Sequence, residues 1–180
     1  MMIPAPKLDI TLEPRTAAHA EELFAMLSEP EIYRYLDEDP PQSIEALKKK
    51  FARSESRKSP DGSEHWLNWV VRDELQFVAG IVQTTIYPSG EANVAYVFGR
   101  AQWGRNLAYR AVERMLHLVV DEFEVKQFFV TIERDNERSI RLAERLGFVS
   151  ATVTDFAART IAAGDVLMLR HVAATLRQRS

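Results

Sequence analysis

A loop between a predicted strand and a predicted helix carries the residue types that bind a phosphate. It covers residues 102–108, Gln-Trp-Gly-Arg-Asn-Leu-Ala, and opens into the clearest helix of the chain. Backbone N–H groups in the first turn of a helix lack partners within the helix, and together with the helix dipole they attract an anion. Gly104 lets the backbone approach such a ligand closely. The segment therefore predicts an anion site.

The charge around this loop differs from that of the whole chain. The protein has a formal net charge of −3 and a pI near 5.9, yet residues 100–114 hold four arginines and one acid. These are Arg100, Arg105, Arg110, Arg114 and Glu113. A local anionic ligand is one interpretation, and a solvated helix face is the other.

The loop resembles the pyrophosphate-binding loop of the GNAT acetyltransferases, whose pattern is Arg/Gln-x-x-Gly-x-Gly/Ala. Ala108 matches the last position, Asn106 stands where the family prefers Gly, and Trp103 stands where it often has Gln or Arg. A loop that begins Trp-Gly is common in the RimJ/RimL-like branch, which acetylates protein N-termini. The resemblance therefore implies a particular acceptor as well as a coenzyme.

Residues further from the loop strengthen the resemblance. Asn136-x-x-Ser139, Leu142 and the run 146–148, Leu-Gly-Phe, are similar to the family's Asn-x-x-Ser helix and its closing Gly-Phe. Gly80 and Tyr96 also stand where that branch tends to have Gly and Tyr. The family's element order extends over nearly the whole chain, whereas its specific motifs lie in residues 96–148.

The resemblance implies acetyl-CoA as cosubstrate and direct attack of an amine on the thioester. The family places the thioester where two parallel strands splay apart, here at the ends of residues 92–98 and 127–132. A backbone N–H of Val97 or Phe98 would polarise the thioester carbonyl. The expected coenzyme-binding residues are Val97, Phe98, Gly99, Trp103, Gly104, Arg105, Asn106, Leu107, Ala108 and Asn136. Asn136 is equally well explained as a helix cap.

Candidate catalytic residues depart from the family pattern. Many members have a tyrosine acid four residues before the Gly of Gly-Phe, and here that position is Ala143. We name Ser139 as the substitute acid. Glu91 is a candidate base because it shares a strand face with Asn93, where the family often has Glu; a solvated strand-end carboxylate is the alternative.

The acceptor is less constrained than the coenzyme. Tyr33, Tyr35, His65 and Trp66 are candidates to line its pocket, and aromatic core packing is the alternative for each. Residues 21–39 contain seven acidic residues and one basic residue, Arg34. These acids suit a cationic acceptor, and the alternative is that they only keep the surface soluble. We expect a protein or peptide N-terminal α-amine. The alternatives are a small amine, such as a polyamine or drug, and a non-catalytic CoA-binding regulatory module.

Composition excludes several other classes of protein. The chain has no cysteine, which removes disulfides and thiol nucleophiles. Its four histidines are scattered without metal-ligand spacing, and residues 99–106 lack the lysine and hydroxyl of a P-loop. We expect no nucleic-acid partner, no membrane span and no metal in a cytoplasmic protein, and leave a homodimer open.

The elements that must position these residues follow from periodicity. Strands are predicted at residues 8–12, 66–72, 77–87, 92–98, 127–132, 148–156 and 165–171. A helix is expected after Thr16, and others at residues 43–56, 107–121 and 137–146. This order predicts a single α+β domain over residues 1–180. The GNAT resemblance implies three layers, with helices on both sides of a mixed, mostly antiparallel sheet.

Overall fold

The computed structural model describes residues 9–152 and 161–172. Its strands are β1 (Thr11–Pro14), β2 (His65–Arg72), β3 (Val78–Ile86), β4 (Glu91–Phe98), β5 (Gln127–Glu133), β6 (Val149–Ser150) and β7 (Asp165–His171). Its helices are α1 (Ala20–Leu27), α2 (Ile44–Ala52), α3 (Leu107–Glu122) and α4 (Glu137–Arg145). Short 3₁₀ turns lie at Ala17–His19, Pro30–Tyr33 and Arg100–Gln102. The strands form one sheet in the order β1-β2-β3-β4-β5-β7-β6.

Two strands differ from the sequence expectation at their ends. β1 pairs with β2 over Thr11–Pro14 rather than residues 8–12, and Leu8 lies outside the described residues. β6 holds only two residues of the predicted span 148–156, of which 153–156 also lie outside the described residues. Phe148 is not in the strand because its N–H closes the end of α4, at 3.0 Å from the carbonyl oxygen of Ala143.

Helices cover both faces of the sheet and give three layers. On one face α3 and α4 pack on the central strands, and on the other α1 and α2 pack together over β2 and β3. The amphipathic spacing of α3 explains its burial, since its apolar residues recur every three or four positions. Those buried residues are Leu107, Ala111, Val112, Met115, Leu116 and Val119. The predicted α+β fold with a mixed, mostly antiparallel sheet is confirmed.

A gap opens between β4 and β5, the one parallel pair among the described strands. Their pairing covers three positions and stops at Asn93 opposite Phe129. Beyond that point β4 pairs with β3 alone, as far as Phe98 opposite Gly80, and β5 pairs with β7. The two strands therefore diverge toward their carboxyl ends.

None of the helices in the described ranges is long and apolar enough to cross a membrane.

Candidate active site

A cavity of about 1050 Å³ lies at the carboxyl end of β4. Its walls come from the end of β4, the loop that follows, the first turn of α3, one side of α4 along its length, and the segment between α1 and α2. The lining includes Tyr35, Tyr96, Trp103, Asn136 and Ser139. The cavity therefore joins the predicted anion loop to part of the predicted acceptor pocket.

The loop from Gly99 to α3 holds its backbone in two left-handed turns. Gly104 has φ 77° and Asn106 has φ 60°, and a Cβ built on Gly104 would have no neighbour within 4 Å. Asn106 thus adopts the left-handed conformation that Asn tolerates better than most residues other than Gly. Asn106 precedes α3 without a capping hydrogen bond from its side chain, and the first turn of α3 contains no acid. The N–H groups at the start of α3 are therefore suited to an anionic ligand.

Three contacts of the loop explain its shape. The indole Nε1–H of Trp103 donates to the carbonyl oxygen of Phe98 at 2.9 Å. The Arg138 guanidinium lies 3.4 Å from the centre of the Trp103 ring, a cation–π contact between α4 and the loop. Arg145 donates to the Asn106 side-chain oxygen at 2.8 Å. α4 therefore holds the loop at two points.

The arginines of residues 100–114 separate into two groups. Arg110 and Arg114 pair with Asp9 at 2.8 and 3.5 Å, and Arg110 also pairs with Glu74. These two belong to a charged helix face. Arg105 contacts Gln102 and lies 3.6 Å from Asp73, whereas Arg100 lines the cavity and pairs with Glu31 at 3.1 Å.

The backbone of β4 alternates between its two neighbours. The Tyr87 N–H donates to the backbone carbonyl oxygen of Glu91, and the Gly99 N–H donates to that of Ala79. Odd-numbered residues of β4 therefore direct their N–H and C=O groups at β3. Val97 therefore uses its N–H within the β3–β4 ladder. Phe98 directs its backbone groups to the other side, and its carbonyl accepts the Trp103 bond there. Of the two expected oxyanion donors, only Phe98 has the required direction.

Tyr96 and Ser139 meet across the cavity. The Tyr96 hydroxyl lies 2.6 Å from Ser139 Oγ and 3.3 Å from the Ser139 carbonyl oxygen. Asn136 accepts from the Ser139 N–H at 3.2 Å, so its predicted role as a helix cap is confirmed. Burial raises the pKa of the Tyr96 phenol, and the Ser139 hydrogen bond and the Arg138 charge oppose part of that rise. The pair therefore holds a proton at neutral pH.

The family model of the GNAT acetyltransferase domain matches residues 9–149. That span contains the cavity, the loop and the four α-helices of the described residues. The chain belongs to the GNAT acetyltransferases. It is therefore an N-acetyltransferase with acetyl-CoA as donor. A search of curated protein sequences finds no significant match.

Solved GNAT structures share the fold at low sequence identity. RimL, a ribosomal L7/L12 α-N-protein acetyltransferase in complex with coenzyme A, is 16% identical with a TM-score of 0.74, over 96% of this chain and 98% of that one. Spermidine N-acetyltransferase from Vibrio cholerae, in complex with CoA and spermine, is 17% identical with a TM-score of 0.72, over 91% and 95%. The aminoglycoside acetyltransferase AAC(6')-Ib, in complex with ribostamycin and coenzyme A, is 18% identical with a TM-score of 0.73, over 96% and 98%. These likenesses establish the fold alone.

The residues of this GNAT enzyme fit acetyl-CoA. The start of α3 offers N–H donors without a competing acid, and the open space at Gly104 leaves room beside them. The described lining of the cavity contains five arginines and three carboxylates, a balance that suits a phosphorylated ligand. The arginines are Arg34, Arg100, Arg138, Arg141 and Arg145. No group of three or more histidine, aspartate or glutamate side chains is placed to hold a metal among the residues described.

Three predicted site residues lie far from the cavity, and three more, Tyr33, Gly99 and Arg105, are next to lining residues in the chain but are not in the described lining. Glu91 begins β4 and Phe98 ends it, so they are about 23 Å apart along the strand. His65 is opposite Ile86 at that same distant end and packs on Phe123, with ring centres 4.7 Å apart. Trp66 follows His65 and donates its indole N–H to Glu64. The sheet register therefore removes Glu91, His65 and Trp66 from the cavity's walls.

The tyrosines of the segment between α1 and α2 differ from each other. Tyr35 lines the cavity. Tyr33 is absent from the described lining, and its hydroxyl donates to the Leu27 carbonyl at 2.7 Å, which closes the end of α1. In the sequence, Tyr96 is marked only as a position where the resembling family branch tends to have Tyr. Its alternation with Val94 and Phe98, which face the same helices, is the signal that could have placed it in the site.

Proposed function

We propose that this enzyme acetylates the N-terminal α-amine of a protein or peptide. The observation that carries this proposal is the set of groups around the cavity. Hydroxyls meet there at Tyr96 and Ser139, arginines outnumber carboxylates, and the predicted base Glu91 lies at the other end of its strand. Such a site favours an acceptor that loses its proton without a strong base and carries little positive charge.

The acceptor's own chemistry supports an α-amine. An α-amine has a pKa of about 7.7 to 8.0 and a lysine side chain about 10.4, so near neutral pH the α-amine is far more often in its attacking form. Acetyl-CoA supplies the activated acetyl group. Phe98 N–H is the backbone donor directed away from β3, toward the side on which the thioester carbonyl is expected.

The proton for the leaving group comes from the Tyr96–Ser139 pair in this proposal. Ala143, which stands where many GNAT enzymes have a tyrosine, is 1% exposed and has no titratable group. As the C–S bond breaks, Ser139 donates a proton to the departing sulfur from the first turn of α4, and Tyr96, 2.6 Å away, restores the Ser139 proton. The proton lost by the acetylated nitrogen returns to Tyr96 through solvent. This role keeps the predicted acid Ser139 and adds Tyr96 to it.

A small amine is the second candidate because of the acids beside the cavity. Glu31 lines it, and Asp37 and Asp39 are exposed on the same segment between α1 and α2. Two neighbouring acids are already committed: Glu29 accepts from the Arg100 backbone N–H at 3.0 Å, and Glu38 pairs with Lys50 at 2.6 Å. Because Glu29 and Glu38 already have partners, the case for a polycation site is weaker, and it depends mainly on Asp37 and Asp39.

A turnover screen distinguishes the two candidates. We would follow CoA release with a panel of tetrapeptide amides that differ in their first residue, the same peptides with blocked N-termini, and spermidine. Turnover of the unblocked peptides alone supports the proposal. Turnover of spermidine far above every peptide would overturn it in favour of a small-amine enzyme.

A further inference from the structure

Among the described residues, α1 and α2 pack on their face of the sheet at one end only. Along that face, Val70, Ile81 and Val97 form a row across β2, β3 and β4 and belong to the α1–α2 core. The next rows carry polar side chains. They are Asn68, Gln83 and Ala95, followed by Trp66, Thr85 and Asn93. We call Gln83, Thr85 and Asn93 the polar patch.

The polar patch has unused hydrogen-bonding capacity. In the described part of the chain, the side chains of Gln83, Thr85 and Asn93 make no hydrogen bond or ion pair, although all three are half-buried. The nearby Asn68 differs, since its side chain donates to the Trp66 carbonyl at 3.3 Å. Partly buried amides and hydroxyls without partners are suited to a ligand that supplies them.

The position of the polar patch connects it to the gap between β4 and β5. Asn93, opposite Phe129, is the last paired residue before the strands diverge. Tyr96 leaves β4 on the opposite face, toward α3 and α4. A ligand on the polar patch would therefore enter the gap from the side opposite the proton-donor pair.

The dimensions of the polar patch match a short extended peptide. Neighbours on one face of a sheet are about 5 Å apart across strands and about 7 Å apart along a strand. An extended chain advances about 3.3 to 3.6 Å per residue. Two or three residues of a peptide therefore cover Gln83, Thr85 and Asn93.

The chemistry of the polar patch is neutral. Glu91 is the next residue along this face of β4, and its carboxylate accepts from the Ser89 hydroxyl at 3.0 Å. Carboxamide side chains donate and accept, as peptide groups do, so they can bind backbone N–H and C=O groups together. A polycation held there would lose hydration without gaining a counter-charge from these three side chains.

We propose that Gln83, Thr85 and Asn93 recognise the acceptor, hydrogen-bonding backbone amides about three to five residues beyond the reacting amine of an N-terminal peptide, because their rows lie about 10 to 17 Å from Phe98 along the strand. This inference rests on the proposed function and adds the residues that set its specificity. Residues of the polar patch act on acceptor choice and leave coenzyme binding unchanged.

The test introduces charge into the polar patch and compares acceptors. The variants are Gln83→Glu with Asn93→Asp, and Asn93→Ala; Gln76→Glu, in the exposed β2–β3 turn, is the matched control. We expect the charged double variant to raise the spermidine-to-peptide ratio of kcat/KM at least tenfold. Asn93→Ala should raise the peptide KM with unchanged kcat, and calorimetry should show weaker binding of the same tetrapeptide amide to the CoA complex.

Three outcomes decide the inference. An unchanged spermidine-to-peptide ratio of kcat/KM in the double variant overturns it, and so does the same change of ratio in Gln76→Glu. A parallel loss of acetyl-CoA binding or of thermal stability in the polar-patch variants also overturns it. If the unaltered enzyme uses a small amine instead, the proposed function fails separately. The polar patch is then tested with that amine, and an Asn93→Ala variant with unchanged acceptor KM and binding would overturn its role.

Discussion

Trp103 and Phe98 are joined by a 2.9 Å hydrogen bond from the indole N–H to the backbone carbonyl. The bond ties the loop that we expect to hold the coenzyme to the last residue of β4, on the side of the strand that faces the gap. One side chain thereby fixes both the loop expected to bind an anion and the direction of the Phe98 backbone. Arg138, stacked on the same indole, extends this coupling to α4.

Acetyl-CoA should stabilise the folded protein without any metal. At a ligand concentration 100 times Kd, the free energy of unfolding should rise by about 2.7 kcal/mol through mass action. A thermal-shift titration with acetyl-CoA, with and without EDTA, measures this. No shift, or a shift that requires Mg²⁺, would contradict the assignment of the loop.

Asn106 should tolerate Gly and resist Val. Its φ of 60° is accessible to Gly and Asn but strained for a β-branched residue. Asn106→Gly should retain acetyl-CoA affinity within about threefold despite losing the Arg145 contact, whereas Asn106→Val should weaken it at least tenfold, on the order of 1.4 kcal/mol. Calorimetric Kd values for both variants provide the measurement, and equal affinities would disprove the backbone requirement.

Tyr96→Phe should lower kcat by about two orders of magnitude, since general acid catalysis contributes at least that much in many enzymes. Acetyl-CoA affinity should be unchanged. Because burial raises the pKa of Tyr96, the unaltered enzyme should keep this proton through neutral pH and lose it only above the ordinary value of 10.0. Ser139→Ala is the companion variant, and a kcat close to that of the unaltered enzyme in both would remove the pair from catalysis.

The same pKa has a consequence for stability. A raised folded-state pKa means that the unfolded tyrosine ionises first, so the contribution of Tyr96 is complete below about pH 10 and is lost as pH rises through the folded pKa. Denaturant titrations from pH 8 to 11 should show a smaller decline for Tyr96→Phe. An identical decline in both proteins would show that Tyr96 is not the group responsible.

With a peptide acceptor, the acidic limb of kcat/KM should follow the free α-amine near pH 8, because only the neutral amine attacks. Glu91→Gln should leave this limb in place and cost little, since Glu91 lies at the other end of β4 from the cavity. A pH–rate profile of both proteins is the measurement. Collapse of activity in Glu91→Gln would restore that residue as a base.

Gly80→Ala should destabilise the protein more than an ordinary loop change. A Cβ at Gly80 would lie 2.5 Å from the Val97 carbonyl oxygen and 2.6 Å from the Phe98 ring, so β3 or the end of β4 must shift. We expect a loss of about 1 to 3 kcal/mol, typical of overpacking. Gly62→Ala is the control: its φ is 75° with nothing within 4 Å of the added carbon, so it tests backbone strain alone.

Local sequence patterns predicted the strands, the helices and the loop, whereas the pairing register of the strands determines which residues line the cavity. The helix that begins at Leu107 and the loop before it follow from periodicity and residue type, and both are where the sequence places them. His65 and Glu91 could not be placed because their distance from the loop depends on how three strands pair. The Tyr96–Ser139 contact joins residues 43 positions apart, which no local pattern reveals.

The short parallel pairing of β4 with β5 gives the sheet a seam. Only three positions join the strands before the seam to those after it, so hydrogen bonding there is far less extensive than within the long β2–β3–β4 ladders. The N–H groups that β4 directs at β5, such as those of Val94 and Tyr96, should therefore exchange with deuterium sooner than those of central β3. A ligand that fills the gap would fasten the two halves together, and the enzyme's rigidity would then depend on its donor as much as on its own core.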